Sequence, residues 1–426
     1  MKCDVLVVGA GVLGLSSAYH IKRRDPSKRV VVIEKMGGPG QGNTAKSMGA
    51  FRNIFTSETN YLLTDSTIDW LIHLQGELGH DLRLHMIGYL WLFSEPQYRR
   101  LSGPLSKIRA RGTETTTYEE DELRRIIPDL VTDFSEDEEA DLMGLEEVSY
   151  GVLGHKCGSL DADALAKSYE QLFLELGGEA HYGTEARRLL LKPRKELGIL
   201  GEPFVWQEVG IAGAETTNGA IEAETTVVAC GAWAERLLSP VGLESFTRPK
   251  KRQLFAFKDP KLSRLINTRG LNSDDALPLT ILPKAGIHMR TEVSERSIWL
   301  GCADGLGRGF GLEEDPRPEE DYYGNNIYHA LARYFPCFSD VRPVNSWAGQ
   351  YDINSLDETP VVYSGEGFVY VGASSGSGIM KSDALGRIAA ANYYGEEESE
   401  LYGGHRFRVA DLGVKSRHVE HEAFVL

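Results

Sequence analysis

The stretch that decides the fold is KCDVLVVGAGVLG, residues 2–14. An apolar run at residues 5–8 precedes three glycines, and a helical pattern follows at residues 15–21. A second apolar run, residues 30–33, ends on Glu34, which stands 20 residues after Gly14. The order strand, glycine turn, helix, strand and acid predicts a dinucleotide site.

Each part of this motif has a physical role. Gly9 allows the tight turn, Gly11 lets a pyrophosphate approach the backbone, and Gly14 lets the helix pack closely on the strand. The N-terminus of the helix offers unpaired N–H groups and a positive dipole end to phosphates. The carboxylate of Glu34 would accept hydrogen bonds from a ribose diol.

Composition bounds the class of protein. The chain has 426 residues, more than one typical core, so two domains are expected. Hydrophobic residues make up 42% and charged residues 25%, as in ordinary soluble proteins. No apolar run approaches the ~20 residues of a membrane span, and the opening apolar run belongs to the glycine motif, not to a signal peptide. The net charge of −16 disfavours nucleic acid and anionic membrane surfaces as partners.

Cysteine and histidine patterns give no sign of a metal. None of the five cysteines forms a CxxC pair, and the eleven histidines show no ligand spacing, so no metal site is expected. A scattered, odd set of cysteines is typical of a reducing cytoplasm, where we expect the protein to reside. Sparing use of glutamine and cysteine suggests a hot habitat.

Two kinds of sheet alternate along the chain. Strand–turn–helix patterns recur at residues 225–238 and 367–393, each with a glycine turn. Short β-like runs between residues 180 and 211 predict a small antiparallel meander. Four further runs between residues 252 and 301 predict a largely antiparallel sheet. The chain is therefore expected to cross between two domains several times.

Five stretches together resemble the D-amino-acid oxidase, sarcosine oxidase and glycine oxidase family of FAD-dependent enzymes. They are the opening turn with Glu34, residues 47–52, residues 227–233, residues 346–350 and residues 372–386. The resemblance implies an α/β fold in which a Rossmann-like FAD domain of glutathione-reductase type is interleaved with a substrate domain built on a mixed, mostly antiparallel sheet. We expect residues 1–85, 145–235 and 337–426 in the FAD-binding domain, and residues 86–144 and 236–336 in the substrate-binding domain.

The resemblance also implies that FAD is bound non-covalently. Monomeric sarcosine oxidases attach FAD to a cysteine shortly after the segment that matches residues 347–350, and this chain has no cysteine after Cys337. The cofactor-binding residues that it implies are Gly9, Gly11, Val12, Leu13, Gly14, Glu34, Lys35, Lys46, Ser47, Met48, Gly49, Ala186, Cys230, Gly231, Trp233, Gly349, Gly376, Gly378, Ile379, Met380 and Lys381.

The substrate of such an enzyme needs a carboxylate anchor, and a guanidinium binds both oxygens. Arg52 matches the family's carboxylate-binding arginine, with Tyr61 downstream; without the family, an exposed loop charge is the simpler interpretation. A second anchor used by the sarcosine-oxidising enzymes falls at Met380 or Lys381, where a solvent-facing charge is the alternative. Tyr89 and His288 complete the catalytic candidates.

Two further residues, Arg290 and Trp299, bear on the substrate pocket and the electron acceptor. Arg290 lies on a predicted substrate-domain strand with His288 and could line the pocket, although a lone strand histidine is more often structural. Trp299 stands where the sarcosine oxidases place the lysine that activates oxygen. An apolar ring supplies no cation, which favours a dehydrogenase that passes electrons to a dye, a quinone or a partner protein.

The sequence thus predicts an FAD-dependent dehydrogenase that oxidises L-proline to 1-pyrroline-5-carboxylate, most similar to archaeal dye-linked L-proline dehydrogenases. It acts in the cytoplasm, or at a membrane through its acceptor. Alternatives are a sarcosine, glycine or D-amino-acid oxidase, a 2-hydroxy-acid or glycerol-phosphate dehydrogenase, and an electron-transfer subunit. The sequence leaves open whether the protein forms a homo-oligomer. The tail from residue 403 is expected to pack on the body, or to plug the substrate entrance.

Overall fold

The computed structural model describes residues 1–283, 286–303 and 309–424. Its α-helices are α1 Val12–Arg24, α2 Glu58–Gly76, α3 Glu95–Ala110, α4 Glu120–Ile126, α5 Glu138–Met143, α6 Ala162–Glu175, α7 Ala234–Leu238, α8 Ser263–Ile266, α9 His329–Tyr334 and α10 Ser382–Tyr394. Its strands are β1 Lys2–Val8, β2 Val30–Ile33, β3 Ala50–Arg52, β4 Tyr89–Phe93, β5 Thr115–Glu119, β6 Tyr150–Gly154, β7 Cys157–Ser159, β8 Glu179–His181, β9 Ala186–Pro193, β10 Val209–Thr216, β11 Gly219–Val228, β12 Thr247–Phe257, β13 Leu279–Ile281, β14 Ile287–Glu292, β15 Ser297–Cys302, β16 Asn345–Asn354, β17 Val361–Gly365, β18 Phe368–Gly372, β19 Glu398–Glu400 and β20 Arg406–Arg408.

The first large sheet has a parallel centre. Its order is β17-β18-β11-β1-β2-β8, with β10 pairing on β11 and β9 on β10. Strands β18, β11, β1, β2 and β8 are parallel to one another, whereas β9, β10 and β17 are antiparallel to their neighbours. The predicted meander between residues 180 and 211 was therefore wrong for β8. That strand follows helix α6, and a helical crossover returns the chain parallel to β2.

Both faces of this sheet are covered. Val5 and Val7 of β1 pack in the cluster that includes α1, α6 and α10, and Leu6 and Val8 face the cluster that includes α7. A strand buried on both faces is apolar at every position, which explains the continuous run at residues 5–8.

The second large sheet is mixed and mostly antiparallel, as expected. Its order is β16-β12-β15-β14-β13-β4-β6-β5, and of these pairs β13–β4 is the parallel one. Phe255, Met289 and Leu300 of this sheet belong to an apolar core cluster. Strands β6 and β16 belong to this sheet although the sequence-based boundaries place them in the FAD-binding segments; those boundaries stay a prediction.

Membrane-spanning helices can be assessed over the same part of the chain. Within it, we found no helix with both the length and the apolar character that crossing a bilayer requires.

Candidate active site

A cavity of about 460 Å³ lies between the two sheets. Its first end lies where β1, β2 and β11 finish, at the carboxyl ends of parallel strands, where α/β folds bind ligands. Its second end is formed by side chains of the other sheet. The wall residues at the first end include Val8, Ile33 and Ala229, and those at the second include Tyr89, His288 and Tyr351.

Glycine is suited to each position of the opening turn for a different geometric reason. Gly9 has a φ of +106°, and a Cβ there would stand 2.6 Å from the carbonyl oxygen of Ala229. A Cβ on Gly14 would stand 1.9 Å from the Gly9 oxygen, so Gly14 packs the helix on the turn and does not line the cavity. On Gly11, a Cβ would contact nothing closer than Thr44 Oγ1 at 3.4 Å. Gly11 therefore leaves open space toward the cavity, as a diphosphate requires.

The N-terminus of α1 faces the cavity without a side-chain cap. The N-cap residue is Gly11, and Val12 and Leu13 line the cavity. Val12 N–H donates to Thr44 Oγ1 at 3.2 Å. A helix N-terminus at a cavity wall whose N-cap residue has no side chain is an anion site, so this end fits the diphosphate of a dinucleotide.

Glu34 is held in position at the same end. Its carboxylate accepts hydrogen bonds from Ala10 N–H at 2.9 Å and Met36 N–H at 3.0 Å, and it lines the cavity. A carboxylate has about four acceptor sites, so two remain for ribose hydroxyls. The glycine turn, the helix end and Glu34 together fit FAD.

A cation and an aromatic ring border the cavity near Glu34. Lys35 Nζ lies 3.9 Å from the centroid of the Trp233 ring and 3.3 Å from Glu314 Oε2. Cys230 also lines this region and donates to the carbonyl of Val8 at 3.3 Å. Burial raises the pKa of the Cys230 thiol to about 12, so the group stays protonated and is a poor nucleophile toward a cofactor.

The loop at residues 42–49 is fixed against strand β16. Asn43 Oδ1 accepts from Gln350 N–H at 2.9 Å, and Trp347 Nε1 donates to the Lys46 carbonyl at 3.1 Å. A Cβ on Gly349 would stand 3.0 Å from Lys46 Cβ, so glycine permits this approach. These contacts hold the loop that follows β2 of the first sheet against the second sheet.

The second end of the cavity combines one guanidinium with aromatic and apolar walls. The Arg252 guanidinium carbon lies 5.6 Å from the centroid of the Tyr351 ring. His288 Nδ1 lies 3.1 Å from the Gly286 carbonyl oxygen, which can only accept, so Nδ1 carries the proton. Burial, with the nearby charge of Arg252, lowers the pKa of His288 to about 4, which leaves the ring neutral at pH 7. Apolar wall residues here are Met48, Leu254, Leu279 and Met380.

The structure does not bring Arg52 to the cavity wall. Its Nη1 donates to the Ile54 carbonyl at 2.6 Å and its Nη2 to the Phe424 carbonyl at 3.0 Å. Its guanidinium carbon lies 4.0 Å from the Phe55 ring centroid. Both terminal nitrogens thus hold backbone oxygens, and the role of Arg52 in binding a substrate carboxylate stays a prediction. Tyr61, over whose ring the Arg111 guanidinium lies at 4.7 Å, is also outside the cavity wall.

Lys381 is buried behind the cavity. Its Nζ donates to Asn60 Oδ1 at 2.7 Å and to Ser377 Oγ at 2.8 Å. Burial and the charge of Arg52 lower its pKa to about 7. The preceding residue, Met380, lines the cavity, whereas Lys381 does not; the second anchor at one of these two positions stays a prediction.

Arg290 and Trp299 form a layer behind the site. Arg290 Nε and Nη2 donate to the Met48 carbonyl at 3.0 and 2.8 Å, and Nη1 pairs with Glu292 at 2.7 Å. Trp299 packs 4.6 Å from this guanidinium and is absent from the cavity wall over the residues that the structure describes. The bearing of Trp299 on the electron acceptor stays a prediction, and Arg252 is a cation of the cavity wall that the sequence analysis did not name.

Most predicted site residues lie together. The cavity wall includes the predicted Gly9, Gly11, Val12, Leu13, Glu34, Lys35, Lys46, Ser47, Met48, Gly49, Tyr89, Ala186, Cys230, Gly231, Trp233, His288, Gly349, Gly376, Gly378, Ile379 and Met380. Gly14, Arg52 and Lys381 lie outside it. Arg252 and Leu254 share one face of β12, and strand alternation could have placed them together.

The C-terminal segment packs on the body. Glu422 accepts from Thr56 N–H at 2.9 Å and Ser57 N–H at 3.1 Å, at the start of α2. The ring of Phe424 is buried 4.8 Å from the Trp91 ring. Packing on the body is thus confirmed for residues 420–424, which do not line the cavity; residues 425–426 lie outside the described chain.

Metal ligation has no candidate in the part of the chain that the structure describes. We found no group of three or more His, Cys, Asp or Glu side chains there that could hold an ion.

Known proteins are similar to this chain along most of its length. The family model described as "FAD dependent oxidoreductase" (DAO) matches residues 4–392. A relative from Xenopus laevis, FAD-dependent oxidoreductase domain-containing protein 1, is 24% identical over 91% of this chain and 78% of that protein. Sarcosine oxidase subunit beta from Rhodobacter capsulatus is 22% identical over 96% of this chain and 89% of that protein.

Solved structures share the fold. L-proline dehydrogenase from P. horikoshii superposes with a TM-score of 0.74 at 21% identity, over 94% of this chain and 95% of that one. Glycine oxidase from Geobacillus kaustophilus gives 0.72 at 21% identity, over 93% and 95%. The relatives include an amphibian and a bacterial protein, so an archaeal source and a hot habitat stay predictions.

Proposed function

The chain belongs to the DAO family of FAD-dependent oxidoreductases and uses FAD, and on this premise we propose that it is a dehydrogenase for an amino acid with a secondary amine. The observation that carries the proposal is Arg252, a guanidinium in a cavity end with apolar and aromatic walls. The proposed substrate is L-proline, whose ring suits Met48, Leu254 and Leu279, and whose product is 1-pyrroline-5-carboxylate. The likeness to L-proline dehydrogenase from P. horikoshii supports this choice.

The residues divide the work between them. Arg252 supplies the positive charge and the N–H donors that attract the substrate carboxylate to this end of the cavity. Burial raises the pKa of the Tyr89 and Tyr351 hydroxyls, so both stay protonated. The neutral His288 ring adds no second cation, which lets the amine lie beside it uncharged. Bound FAD supplies the hydride acceptor at flavin N5.

A second candidate is an oxidase that passes electrons to O₂. The observation that favours it is again Arg252, because a cation at the substrate end of the cavity stabilises superoxide, and the expected apolar Trp299 lies elsewhere. The likeness to a glycine oxidase structure and the sarcosine oxidase subunit relative support this candidate.

A substrate panel separates the candidates. Purified protein is given L-proline, sarcosine, glycine, D-amino acids and 2-hydroxy acids, with an artificial dye or with O₂ as acceptor. We expect dye reduction with L-proline and slow peroxide release. Peroxide at nearly the dye rate would assign the oxidase, and turnover of hydroxy acids alone would reject the amine. Bound flavin without any turnover would indicate an electron-transfer subunit.

The remaining proposals concern the cellular compartment, the mode of FAD binding and the electron acceptor. The five free cysteines support a reducing cytoplasm. The partly buried, protonated Cys230 is the cysteine among the cavity-wall residues that the structure describes, which supports non-covalent FAD. The physiological acceptor that we propose is a quinone or a partner protein.

A further inference from the structure

The hairpin between β9 and β10 exposes an unusual set of apolar side chains. We call residues 194–208 the hairpin tip. Leu200 and Val205 are fully exposed, and Trp206 is 72% exposed; Leu197 and Ile199 are exposed beside them. Exposed apolar residues scattered singly need no explanation, but five on one short loop mark an interaction surface.

Several backbone groups of the hairpin tip are hydrogen-bonded within the tip. The Glu202 carboxylate accepts from Leu197 N–H at 2.9 Å and from Ile199 N–H at 3.1 Å. Gln207 Oε1 accepts from Phe204 N–H at 2.7 Å, and its Nε2 donates to the Lys195 carbonyl at 3.3 Å. A loop whose polar groups are already paired loses little when its surroundings become apolar.

The charge of the hairpin is opposite to that of the chain. The hairpin, residues 186–216, holds five basic side chains against four acidic ones, a net charge of +1 in a chain of −16. Lys192 and Arg194 lie at the base of the hairpin tip, where their pairs with Glu196, Glu208 and Glu366 are exposed. Exposed pairs are worth little and are easily exchanged for other anions.

The hairpin leaves the substrate end of the cavity clear. Its first strand begins at Ala186 and Arg187, which line the cavity beside Glu34. Thr184 N–H also donates to the Glu34 carbonyl at 2.8 Å. The wall that holds Arg252 and His288 belongs to the other sheet.

We propose that the hairpin tip inserts into the interfacial region of a lipid bilayer. A convex tip needs no complementary pocket, and a bilayer offers none. Trp206 is suited to the boundary between headgroups and acyl chains, while Lys192 and Arg194 reach anionic headgroups behind it. The net charge of the body opposes approach in other orientations, so the hairpin sets the orientation of docking. The inference does not depend on the substrate or the acceptor.

The test is co-sedimentation of the FAD-loaded full chain with vesicles of phosphatidylcholine, with or without phosphatidylglycerol. The combined variant L200S/V205S/W206S is expected to lose binding to both vesicles by roughly 10-fold or more, since each side chain contributes apolar transfer energy. The matched control is L142S/F310S/V344S, three exposed apolar residues outside the hairpin, and it should bind like the unchanged chain. Dye-linked turnover should be unchanged in both.

A charge variant separates the two parts of the proposal. K192E/R194E should lose the extra binding that phosphatidylglycerol and low salt confer, and should keep binding to phosphatidylcholine alone. Absence of binding by the unchanged chain would overturn the proposal, as would equal binding by the apolar hairpin variant. Concentration-dependent self-association in analytical ultracentrifugation that the apolar variant abolishes would replace it with a contact between copies of the chain.

Discussion

At the scale of single residues, replacement of the Arg252 side chain is the most direct test of substrate recognition. We expect Arg252→Met to raise KM for the amino acid by roughly 10- to 100-fold, because charged hydrogen bonds to a carboxylate contribute about 1.5–3 kcal/mol. Steady-state kinetics with a dye measures this. The control is Arg248→Met, an exposed arginine on the same strand that lies outside the cavity wall. An unchanged KM with FAD retained would reject the role of Arg252.

Lys381 gives a prediction about pH. Its pKa is about 7 when buried and 10.5 in a free lysine, so the unfolded chain binds more protons between these values. This lysine therefore adds stability as pH rises from 7 and loses it as pH falls toward 7. We expect the unfolding free energy of the unchanged chain, relative to Lys381→Met, to grow by roughly 2 kcal/mol between pH 7 and 9.

Urea unfolding at the two pH values measures the effect. Lys107→Met, at an exposed lysine on α3, serves as the control and should show no such pH dependence. A difference between the unchanged chain and Lys381→Met that is the same at both pH values would contradict the assigned burial.

Residues also show where sequence reasoning stopped. The motif around Gly9, Gly11 and Glu34 was predictable because its parts are close in sequence and each has a fixed steric role. The contacts of Arg52 were not predictable because one of its two partners, Phe424, lies 372 positions away and leaves no local signal. Arg252 was missed because the alternation of side chains along a strand shows which residues share a face. It does not show that this face borders a cavity.

At the scale of elements, the turn into α1 separates folding from cofactor binding. Gly14→Ala places a Cβ where only 1.9 Å separates it from the Gly9 oxygen, so we expect loss of folded protein. Gly11→Ala has 3.4 Å to its nearest neighbour and an ordinary φ of −71°, so we expect a folded chain with weakened FAD binding. Circular dichroism and flavin absorbance measure the two effects. Equal behaviour of the two variants would contradict their different roles.

The C-terminal segment should open as a local unit. Phe424→Ala removes a ring that is 2% exposed and should destabilise the docked segment by about 3 kcal/mol. Hydrogen exchange at the Ala423 amide, which donates to Thr56 Oγ1 at 2.8 Å, measures the opening. Phe310→Ala, at a ring that is 55% exposed, should leave this exchange unchanged. Protection that survives Phe424→Ala would show that the Glu422 contacts hold the segment alone.

Elements differed in how far sequence could place them. Helix α1 and strands β1 and β2 were predictable from periodicity, since each is set by its own side chains. The parallel pairing of β8 was not, because a short strand carries no mark of its neighbour. The pairing of β16 could not be predicted for the same reason: its ten residues pair with β12, nearly a hundred positions earlier.

At the scale of the whole molecule, the cavity joins two sheets, so FAD should act as a stabilising link. We expect the FAD-free protein to melt roughly 5 °C lower than protein with FAD at about 100 times its Kd, where binding adds about 2.7 kcal/mol. Differential scanning fluorimetry with increasing FAD measures the shift. Removal of FAD should also expose residues 37–49 to proteases. A melting temperature that does not respond to FAD would contradict the position of the cavity between the sheets.

The order in which the chain builds this cavity has a consequence for biosynthesis. The glycine turn leaves the ribosome first, but β1 pairs with β11, β11 pairs with β18, and the wall at Gly376, Gly378 and Met380 comes later still. A nascent chain therefore exposes an apolar, half-paired sheet through most of its translation. Flavin capture must wait until nearly all of the polypeptide has emerged, and chaperones have that whole interval in which to act.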